Sequence, residues 1–163
     1  MITEYYGGGD LRSHLHTNRF SEEQVQYIVA VLSVILDYLH CHHIVYRDLK
    51  PENVVLDVEG KVHLIDLGLC KKLQSDHSTW SIGGTPTYIA PEIIEKKRYS
   101  YSVDWWSLGI MMWELLTGKP PFTGVNHREL YNAILHHSLE KPICMSVSIS
   151  LVRAMRCSFT KRF

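Results

Sequence analysis

The stretch that decides the fold of this chain is residues 46–53, which read YRDLKPEN. A carboxylate, Asp48, precedes the cation Lys50 by two positions, and the stretch ends in the amide side chain of Asn53. Further along, Asp66 lies in the segment LIDLG. Phosphoryl transfer uses these groups, because it needs a base for the attacking hydroxyl, a cation near the moving phosphoryl group and oxygen ligands for magnesium. The pattern therefore predicts one reactive site that contains all four residues.

Each of these residues has a structural alternative when it is taken alone. Asp and Asn commonly occupy turns and caps, because their side chains bond the nearby backbone. That alternative would have to explain three such residues in one order and beside a cation. The pattern favours a reactive site over a set of separate turns.

A further motif, APE at residues 90–92, follows in the same order along the chain. Together the motifs match H-R-D-x-x-x-x-N, D-F-G and A-P-E of the protein kinases. The chain closely resembles that family, with Tyr46 in place of the His and Leu67 in place of the Phe. LCK at residues 69–71 and DWW at residues 104–106 are similar to the AGC group of serine/threonine kinases, nearest to its S6-kinase and Akt-like members.

The resemblance implies a role for each motif residue. Asp48 would be the base, Lys50 would stabilise the phosphoryl group, and Asn53 and Asp66 would hold Mg²⁺ for the cofactor ATP. Thr85 matches a threonine that contacts the catalytic Asp and Lys in serine/threonine kinases. Thr85 and Lys50 therefore predict serine or threonine acceptors rather than tyrosine.

Composition limits the classes of function. Of 163 residues, 45% are apolar and 21% charged, an ordinary globular balance. Lys plus Arg and Asp plus Glu each total 17, so the net charge of zero favours neither nucleic acid nor an anionic membrane surface. Interrupted apolar runs predict no membrane span, and the first residues show no signal-peptide pattern. The four scattered cysteines predict a reducing, cytoplasmic compartment.

The first ten residues are predicted to form a strand end, a turn and a helix cap. Three glycines at residues 7–9 could suggest a phosphate loop, but neither phosphate-loop motif follows, so a hinge is favoured. The resemblance makes this segment the linker between two lobes. The backbone from Glu4 to Tyr6 would then face adenine, and Asp10 would offer a carboxylate to ribose or to a basic substrate.

Two long helices and one amphipathic helix are predicted. Residues 21–42 carry a capping box at Ser21 and Gln24 and an apolar stripe at helical spacing. Residues 102–117 are apolar nearly all round, which indicates a core helix. Residues 125–137 are amphipathic. The run HCHH at residues 40–43 suggests metal ligands by type, but adjacent ligands converge poorly on one ion, so a polar helix end is favoured.

Three short strands are predicted at residues 44–45, 54–56 and 62–64, with a turn at residues 57–60. The last two form a hairpin. Asn53 precedes one of its strands and Asp66 follows the other, so both side chains are expected at one end of it.

The segment from residue 66 to residue 92 is long, polar and without periodicity, which indicates a functional loop. It resembles the kinase activation segment. Ser81 occupies the position of the family's activating phosphothreonine, and Arg47 and Lys71 match the cations that receive the phosphate. An upstream kinase is therefore an expected partner. Thr79 is the competing acceptor, and an unmodified loop serine is the alternative.

Other carboxylates receive positioning or substrate roles from the resemblance. Asp104 would bind the backbone near Tyr46 and Arg47. Glu114, together with Glu52, would receive basic side chains of a protein substrate, although an ordinary helix-end acid is an equal alternative for Glu114.

The tail after residue 140 matches the family only in part. Its usual Asp-Pro is replaced by Ser158-Phe159, while Arg162 remains. The resemblance pairs Arg162 with Glu92 in a buried structural contact.

The sequence thus predicts a mainly α fold with short β-hairpins, the C-terminal lobe of the protein-kinase-like fold, with the N-terminal lobe absent. Residues 1–163 would be a partial kinase domain that runs from the hinge through the late helices. They contain no Gly-rich loop and no V-A-I-K strand, which precede the hinge in the family. The predicted function is a serine/threonine protein kinase whose isolated C-terminal lobe is inactive and requires the missing N-terminal lobe. The alternative is a non-catalytic fragment or pseudokinase-like binding module.

Overall fold

The computed structural model of the chain describes residues 4–17, 19–73, 78–79 and 83–139. The described helices and strands follow one another in the order α1 (Leu11–Thr17), α2 (Glu22–Cys41), β1 (Ile44–Val45), β2 (Val54–Leu56), β3 (Val62–Leu64), β4 (Lys71–Lys72), α3 (Pro91–Ile94), α4 (Ser102–Thr117) and α5 (His127–His136). Short 3-10 turns lie at Pro51–Asn53 and Pro86–Tyr88. The described chain is mainly helical with two small sheets, as the sequence predicts.

Helix α2 begins at the predicted capping box. The Ser21 side chain accepts a hydrogen bond from the Gln24 backbone N–H, and the Gln24 side chain accepts one from the Ser21 backbone N–H. These bonds satisfy two groups that a helix start leaves without partners. The face that packs into the core carries Val25, Ile28, Val29, Leu32 and Leu36.

Among the described residues, α2 is the one helix long and apolar enough to cross a membrane by length and composition alone. Its apolar length exceeds what the interrupted runs of the sequence predict. The buried face of α2 packs on α4 within one hydrophobic core, while Tyr27, Val34 and Tyr38 are exposed on its other side. We therefore interpret α2 as a helix of this core.

Helix α4 is the central element of the core. Ten of its 16 residues are buried, including the polar Asp104, Ser107 and Glu114. It ends at Gly118, whose φ of 79° is a left-handed conformation that suits glycine. The all-round apolar pattern therefore predicts the burial of α4 correctly, and its buried polar residues are available to hold neighbouring loops.

Two antiparallel strand pairs lie beside the helices. Strands β2 and β3 form the predicted hairpin, with Val54 opposite Leu64. Strand β1 pairs with β4, with Val45 opposite Lys71. The sequence does not predict β4, because a two-residue strand inside a polar loop has no periodicity of its own.

The segment from residue 66 to residue 92 contains more structure than the aperiodic sequence predicts. Besides β4, it holds the turn at Pro86–Tyr88 and the start of α3. Helix α5 begins two residues later and ends one residue earlier than predicted. Ser81, Arg162 and the rest of the tail from residue 140 lie outside the described residues.

Candidate active site

The loop that follows β1 is held in place by one buried carboxylate. Asp104, on α4 and fully shielded from solvent, accepts hydrogen bonds from the backbone N–H groups of Tyr46 at 2.9 Å and Arg47 at 2.8 Å. Its Oδ2 also lies 2.8 Å from His40 Nε2, at the end of α2. The predicted contact of Asp104 is present, and it connects both long helices to the loop.

Asp48 lies in this loop with both of its oxygens bound. Its Oδ2 is 2.7 Å from Lys50 Nζ and accepts a hydrogen bond from Asn53 Nδ2 at 3.1 Å. Its Oδ1 accepts one from the Thr85 hydroxyl at 2.8 Å, and that hydroxyl accepts one from Lys50 at 3.0 Å. The side chains of residues 48, 50, 53 and 85 therefore form one connected network, with Asp48 only 7% exposed.

Asn53 and Asp66 lie at the same end of the β2–β3 hairpin. The Asn53 carbonyl accepts a hydrogen bond from the backbone N–H of Ile65, the neighbour of Asp66. The side-chain nitrogen of Asn53 donates to Asp48. The side-chain oxygen of Asn53 is therefore the atom suited to a cation. Asp66 is exposed, and its backbone is in the left-handed region with φ at 61°. Its Oδ1 accepts a hydrogen bond from the Gly68 backbone N–H. Amide and carboxylate oxygens are the ligands that Mg²⁺ prefers, so this donor set fits the metal.

Tyr46 takes the position of the usual His and is buried completely. Its hydroxyl donates to the Ile65 carbonyl at 2.5 Å. Burial is the largest cause that raises the pKa of this phenol well above its ordinary range. Tyr46 is therefore neutral and connects the loop to the hairpin through its hydrogen bond to Ile65. It takes no proton from a substrate.

The hinge segment pairs with the hairpin through its backbone. The Gly8 N–H donates to the Leu56 carbonyl and the Leu56 N–H donates to the Gly9 carbonyl, both at 2.9 Å. A side chain at Gly8 would place its Cβ 2.6 Å from that Leu56 oxygen, so glycine permits the approach. Nearby, the Tyr6 ring stacks on His63 with centroids 4.2 Å apart.

The two other predicted hinge residues have local partners. The Glu4 carboxylate accepts a hydrogen bond from the Tyr6 hydroxyl at 3.0 Å. Asp10 caps α1, because its two oxygens accept from the Ser13 backbone N–H and the Ser13 hydroxyl, both at 2.8 Å. Although burial raises the pKa of Asp10, the bonds from Ser13 outweigh it and leave that pKa below its ordinary value. Asp10 is thus ionised and already used as a cap.

The two predicted phosphate receivers lie on neighbouring segments. The Arg47 guanidinium donates to the Leu69 carbonyl at 2.7 Å, and Lys71 donates to the Thr79 hydroxyl at 2.7 Å. Arg47 has φ at 74°, and its carbonyl faces Gly84, where a Cβ would lie only 2.7 Å away. The activation segment therefore packs closely on the loop that carries Asp48.

A third group brings the two predicted substrate-binding carboxylates together. Arg12, on α1, places its Nε 2.9 Å from Glu52 Oε1 and its Nη1 2.7 Å from Glu114 Oε1. Tyr88 joins them, with its hydroxyl accepting from Arg12 Nη2 at 2.6 Å and donating to Glu114 Oε2 at 2.5 Å. Neither Arg12 nor Tyr88 is among the site residues that the sequence predicts. No local pattern marks them, because Arg12 is 40 and 102 positions away from its two carboxylate partners.

Glu92 and the histidines at the end of α2 also have hydrogen-bond partners. Glu92 accepts a hydrogen bond from the Ser102 hydroxyl at 3.1 Å, while its predicted partner lies outside the described residues. His42 bonds the Tyr38 carbonyl and His43 the Tyr101 hydroxyl. Within residues 4–139, apart from the undescribed gaps, no three His, Cys, Asp or Glu side chains gather as metal ligands.

The sequence of this chain is similar to those of known proteins. The family model for the protein kinase domain matches residues 1–158. The chain is 49% identical to cGMP-dependent protein kinase 2 of Homo sapiens over 136 residues, which are 83% of this chain and 18% of that protein. It is 40% identical to the epsilon type of protein kinase C of Oryctolagus cuniculus over 157 residues, 94% of this chain and 21% of that protein.

A third relative is Sgk2 of Rattus norvegicus, 42% identical over 144 residues, or 87% of this chain and 39% of that protein. All three relatives are AGC serine/threonine kinases. The chain spans between about a fifth and two fifths of the length of these relatives.

Proposed function

This chain belongs to the protein kinase domain family, and we propose that it supplies the catalytic C-terminal lobe of an AGC serine/threonine protein kinase. The observation that carries the proposal is the network around Asp48, in which Lys50, Asn53 and Thr85 all contact one carboxylate or each other. Turn or cap chemistry does not explain this network, because Thr85 joins residues 48–53 from a separate segment of the chain.

The network suggests what each residue does. Asp48 orients the serine or threonine hydroxyl of a protein substrate and accepts its proton as the oxygen attacks phosphorus. Lys50 keeps a positive charge beside the reacting oxygens, and Thr85 fixes both Asp48 and Lys50. ATP would be the phosphoryl donor, and a bound Mg²⁺ would offset the charge of its phosphates. The oxygens of Asn53 and Asp66 would hold the metal.

The substrate and nucleotide faces follow from the same frame. The backbone from Glu4 to Tyr6 would border adenine, and Asp10 the ribose or a basic substrate residue. The substrate peptide would cross the face that carries Glu52 and Glu114, with basic residues near its acceptor. Ser81 would be phosphorylated by an upstream kinase. A contact between Glu92 and Arg162 would support the activation segment.

We also propose that residues 1–163 need an N-terminal lobe for activity and that the protein acts in the cytoplasm. These residues contain no Gly-rich loop and no V-A-I-K lysine to fix the phosphates of ATP. The described cysteines, Cys41 and Cys70, are both free thiols, which suits a reducing compartment.

The test measures transfer from radiolabelled ATP to a basic serine peptide. Residues 1–163 alone should transfer no more than their Asp48→Asn variant. When an N-terminal kinase lobe is added, on the same polypeptide or in trans, transfer should appear and Asp48→Asn should abolish it. Asp37→Asn, at an exposed position of α2, is the matched control and should leave the rate unchanged.

Two results would contradict the proposal. Transfer by residues 1–163 alone, clearly above the Asp48→Asn control, would show that a single lobe is sufficient. A folded two-lobed protein no more active than its Asp48→Asn variant would favour the other class of function, a non-catalytic module that binds partners through this face.

A further inference from the structure

We propose that Arg12 is a specificity-determining residue, which fills the acidic substrate subsite with the chain's own guanidinium, so that Glu52 and Glu114 do not select a basic side chain in the substrate. The inference rests on the proposed function, since it concerns the substrate face of that kinase. It departs from the expectation that these two carboxylates receive basic residues of the substrate.

The geometry of the Arg12 side chain is that of a ligand in a binding site. Its guanidinium reaches three separate acceptors, the carboxylates of Glu52 and Glu114 and the hydroxyl of Tyr88. The three distances lie between 2.6 and 2.9 Å, in the range of charge-assisted hydrogen bonds. These acceptors come from different parts of the chain, and only the fold gathers them around one guanidinium.

Glu114 has little capacity left for a second cation. Its side chain is 4% exposed, and its two oxygens are bound by Arg12 Nη1 and by the Tyr88 hydroxyl. A substrate guanidinium could reach Glu114 only by displacing Arg12, whose own side chain is 26% exposed. Glu52 is the more open partner, with 45% of its side chain exposed.

Charge also opposes a second cation in this cluster. Arg12 offsets one of the two carboxylate charges, and an incoming arginine would lie beside a like charge within a few ångströms. Although burial lowers the pKa of Arg12, the hydrogen bonds to Glu114 and Glu52 outweigh it and raise that pKa further above its ordinary value. Arg12 therefore stays charged, as arginine side chains do in proteins.

The consequence is a change in substrate class. The kinase would accept substrates with a neutral side chain at the position that these carboxylates face, and would gain nothing from an arginine there. Removing Arg12 would free two carboxylates beside the bound peptide and create a preference for arginine at one position. Recognition of basic residues elsewhere in the substrate is unaffected by this inference.

The experiment measures peptide binding to the full chain by fluorescence anisotropy, without ATP. The probes are serine peptides in which a single arginine is moved along an otherwise neutral sequence before the serine. The parent chain should gain nothing from arginine at the position that faces Glu114. Arg12→Ala should bind that one peptide about tenfold more tightly than the arginine-free peptide, the scale of one charged hydrogen bond.

Controls separate this result from a general loss of charge or of structure. Arg19→Ala removes the same charge from an exposed position and should behave like the parent chain. Adding Glu114→Gln to Arg12→Ala should abolish the gain. Arg12→Gln, which keeps much of the side-chain length, replaces Arg12→Ala if the latter fails to give a native far-ultraviolet circular dichroism spectrum.

A second measurement uses the parent chain alone. The Nε–H signal of Arg12 in its nitrogen-15 spectrum should not shift when the arginine peptide is added in excess. A shift of that signal, with tenfold tighter binding of the arginine peptide by the parent, would show that Arg12 moves aside and would overturn the inference.

Failure of arginine at every position to improve binding to a folded Arg12 variant would overturn it as well. Because neither readout involves phosphoryl transfer, the inference and the proposed kinase activity can fail separately.

Discussion

Asp48 shows how much of this site depends on the partners of single atoms. Each of its oxygens has its own partners, Thr85 on one side and Lys50 with Asn53 on the other. A carboxylate bound in this way has little freedom to rotate, so its orientation toward a substrate hydroxyl is fixed before the substrate arrives.

Thr85→Ala should lower the transfer rate of a two-lobed protein about tenfold, or ~1.4 kcal/mol, because Asp48 and Lys50 lose the hydroxyl that joins them. Thr85→Ser keeps the hydroxyl and should retain most of the rate. Steady-state kinetics with a serine peptide distinguish the two variants. Equal rates for Thr85→Ala and the parent would mean that Lys50 and Asn53 position Asp48 without the hydroxyl of Thr85.

Ser81→Ala should prevent activation by an upstream kinase in the two-lobed protein. A phosphate carries about −1.5 to −2 charges and orders a loop when basic residues receive it. Arg47 and Lys71 already donate hydrogen bonds to Leu69 and Thr79 of the activation segment. Phosphate mapping by mass spectrometry together with the transfer rate measures the effect. Full activation of Ser81→Ala, with phosphate on Thr79 instead, would assign the role to Thr79.

Cys70 should react slowly with iodoacetamide in the folded chain. Burial is the largest cause that raises the pKa of its thiol, to about 11. The thiolate is the reactive form, so near pH 8 its fraction is about a hundredfold lower than for a thiol with pKa 9, and the rate should rise with pH up to about 11. Mass spectrometry of the alkylated peptides measures this rate, with exposed Cys41 and the urea-unfolded chain as references.

At the scale of elements, α2 and α4 act as one support for the loop before the hairpin. Their apolar faces pack together, and Asp104 of α4 contacts both His40 of α2 and the loop backbone. A buried carboxylate with three donors stabilises the fold only while all its partners remain. Each buried polar group left without a hydrogen bond costs about 1–3 kcal/mol. The loop geometry is therefore coupled to the packing of the two helices.

Asp104→Asn should lower the free energy of unfolding by roughly 2–4 kcal/mol, because one amide NH₂ group would face backbone N–H donors. For a chain of this length, calorimetry should show a melting temperature lower by roughly 5 °C or more. The exposed Asp37→Asn variant of α2 is the matched control and should melt with the parent. A change of less than about 2 °C for Asp104→Asn would mean that solvent or His40 satisfies the loop.

At the scale of the whole molecule, residues 1–163 hold one wall of the proposed nucleotide cleft. The hinge backbone, β2 and the Asn53–Asp66 end of the hairpin lie together, whereas the sequence contains no Gly-rich loop to cover them. Catalysis by positioning requires both walls, because phosphates held on one side keep most of their freedom to move.

Residues 1–163 should therefore bind Mg-ATP at least about tenfold more weakly than the protein joined to an N-terminal lobe, a difference of ~1.4 kcal/mol or more. Isothermal titration calorimetry measures both constants, and Asp66→Asn should weaken binding in the two-lobed protein. Equal affinities would mean that the described wall carries the nucleotide site by itself.

The sequence by itself determined the elements whose signals are local. Helical spacing and the Ser21–Gln24 box place α2, and the all-round apolar run places α4. The order and spacing of the motifs place Asp48, Lys50 and Asn53 near one another, and in the structure Lys50 and Asn53 both contact the Asp48 carboxylate. These predictions succeed because backbone periodicity, caps and short motifs depend on residues a few positions apart.

Only the tertiary structure decided which distant side chains meet. The pairing of β1 with β4 and the contact of Arg12 with Glu52 and Glu114 were not predicted. A two-residue strand has too few positions to show a period, and a long-range ion pair leaves no pattern in the sequence around either partner. Such contacts form because the packing of α1, α4 and the loops brings the charges together, and that packing is a property of the whole fold.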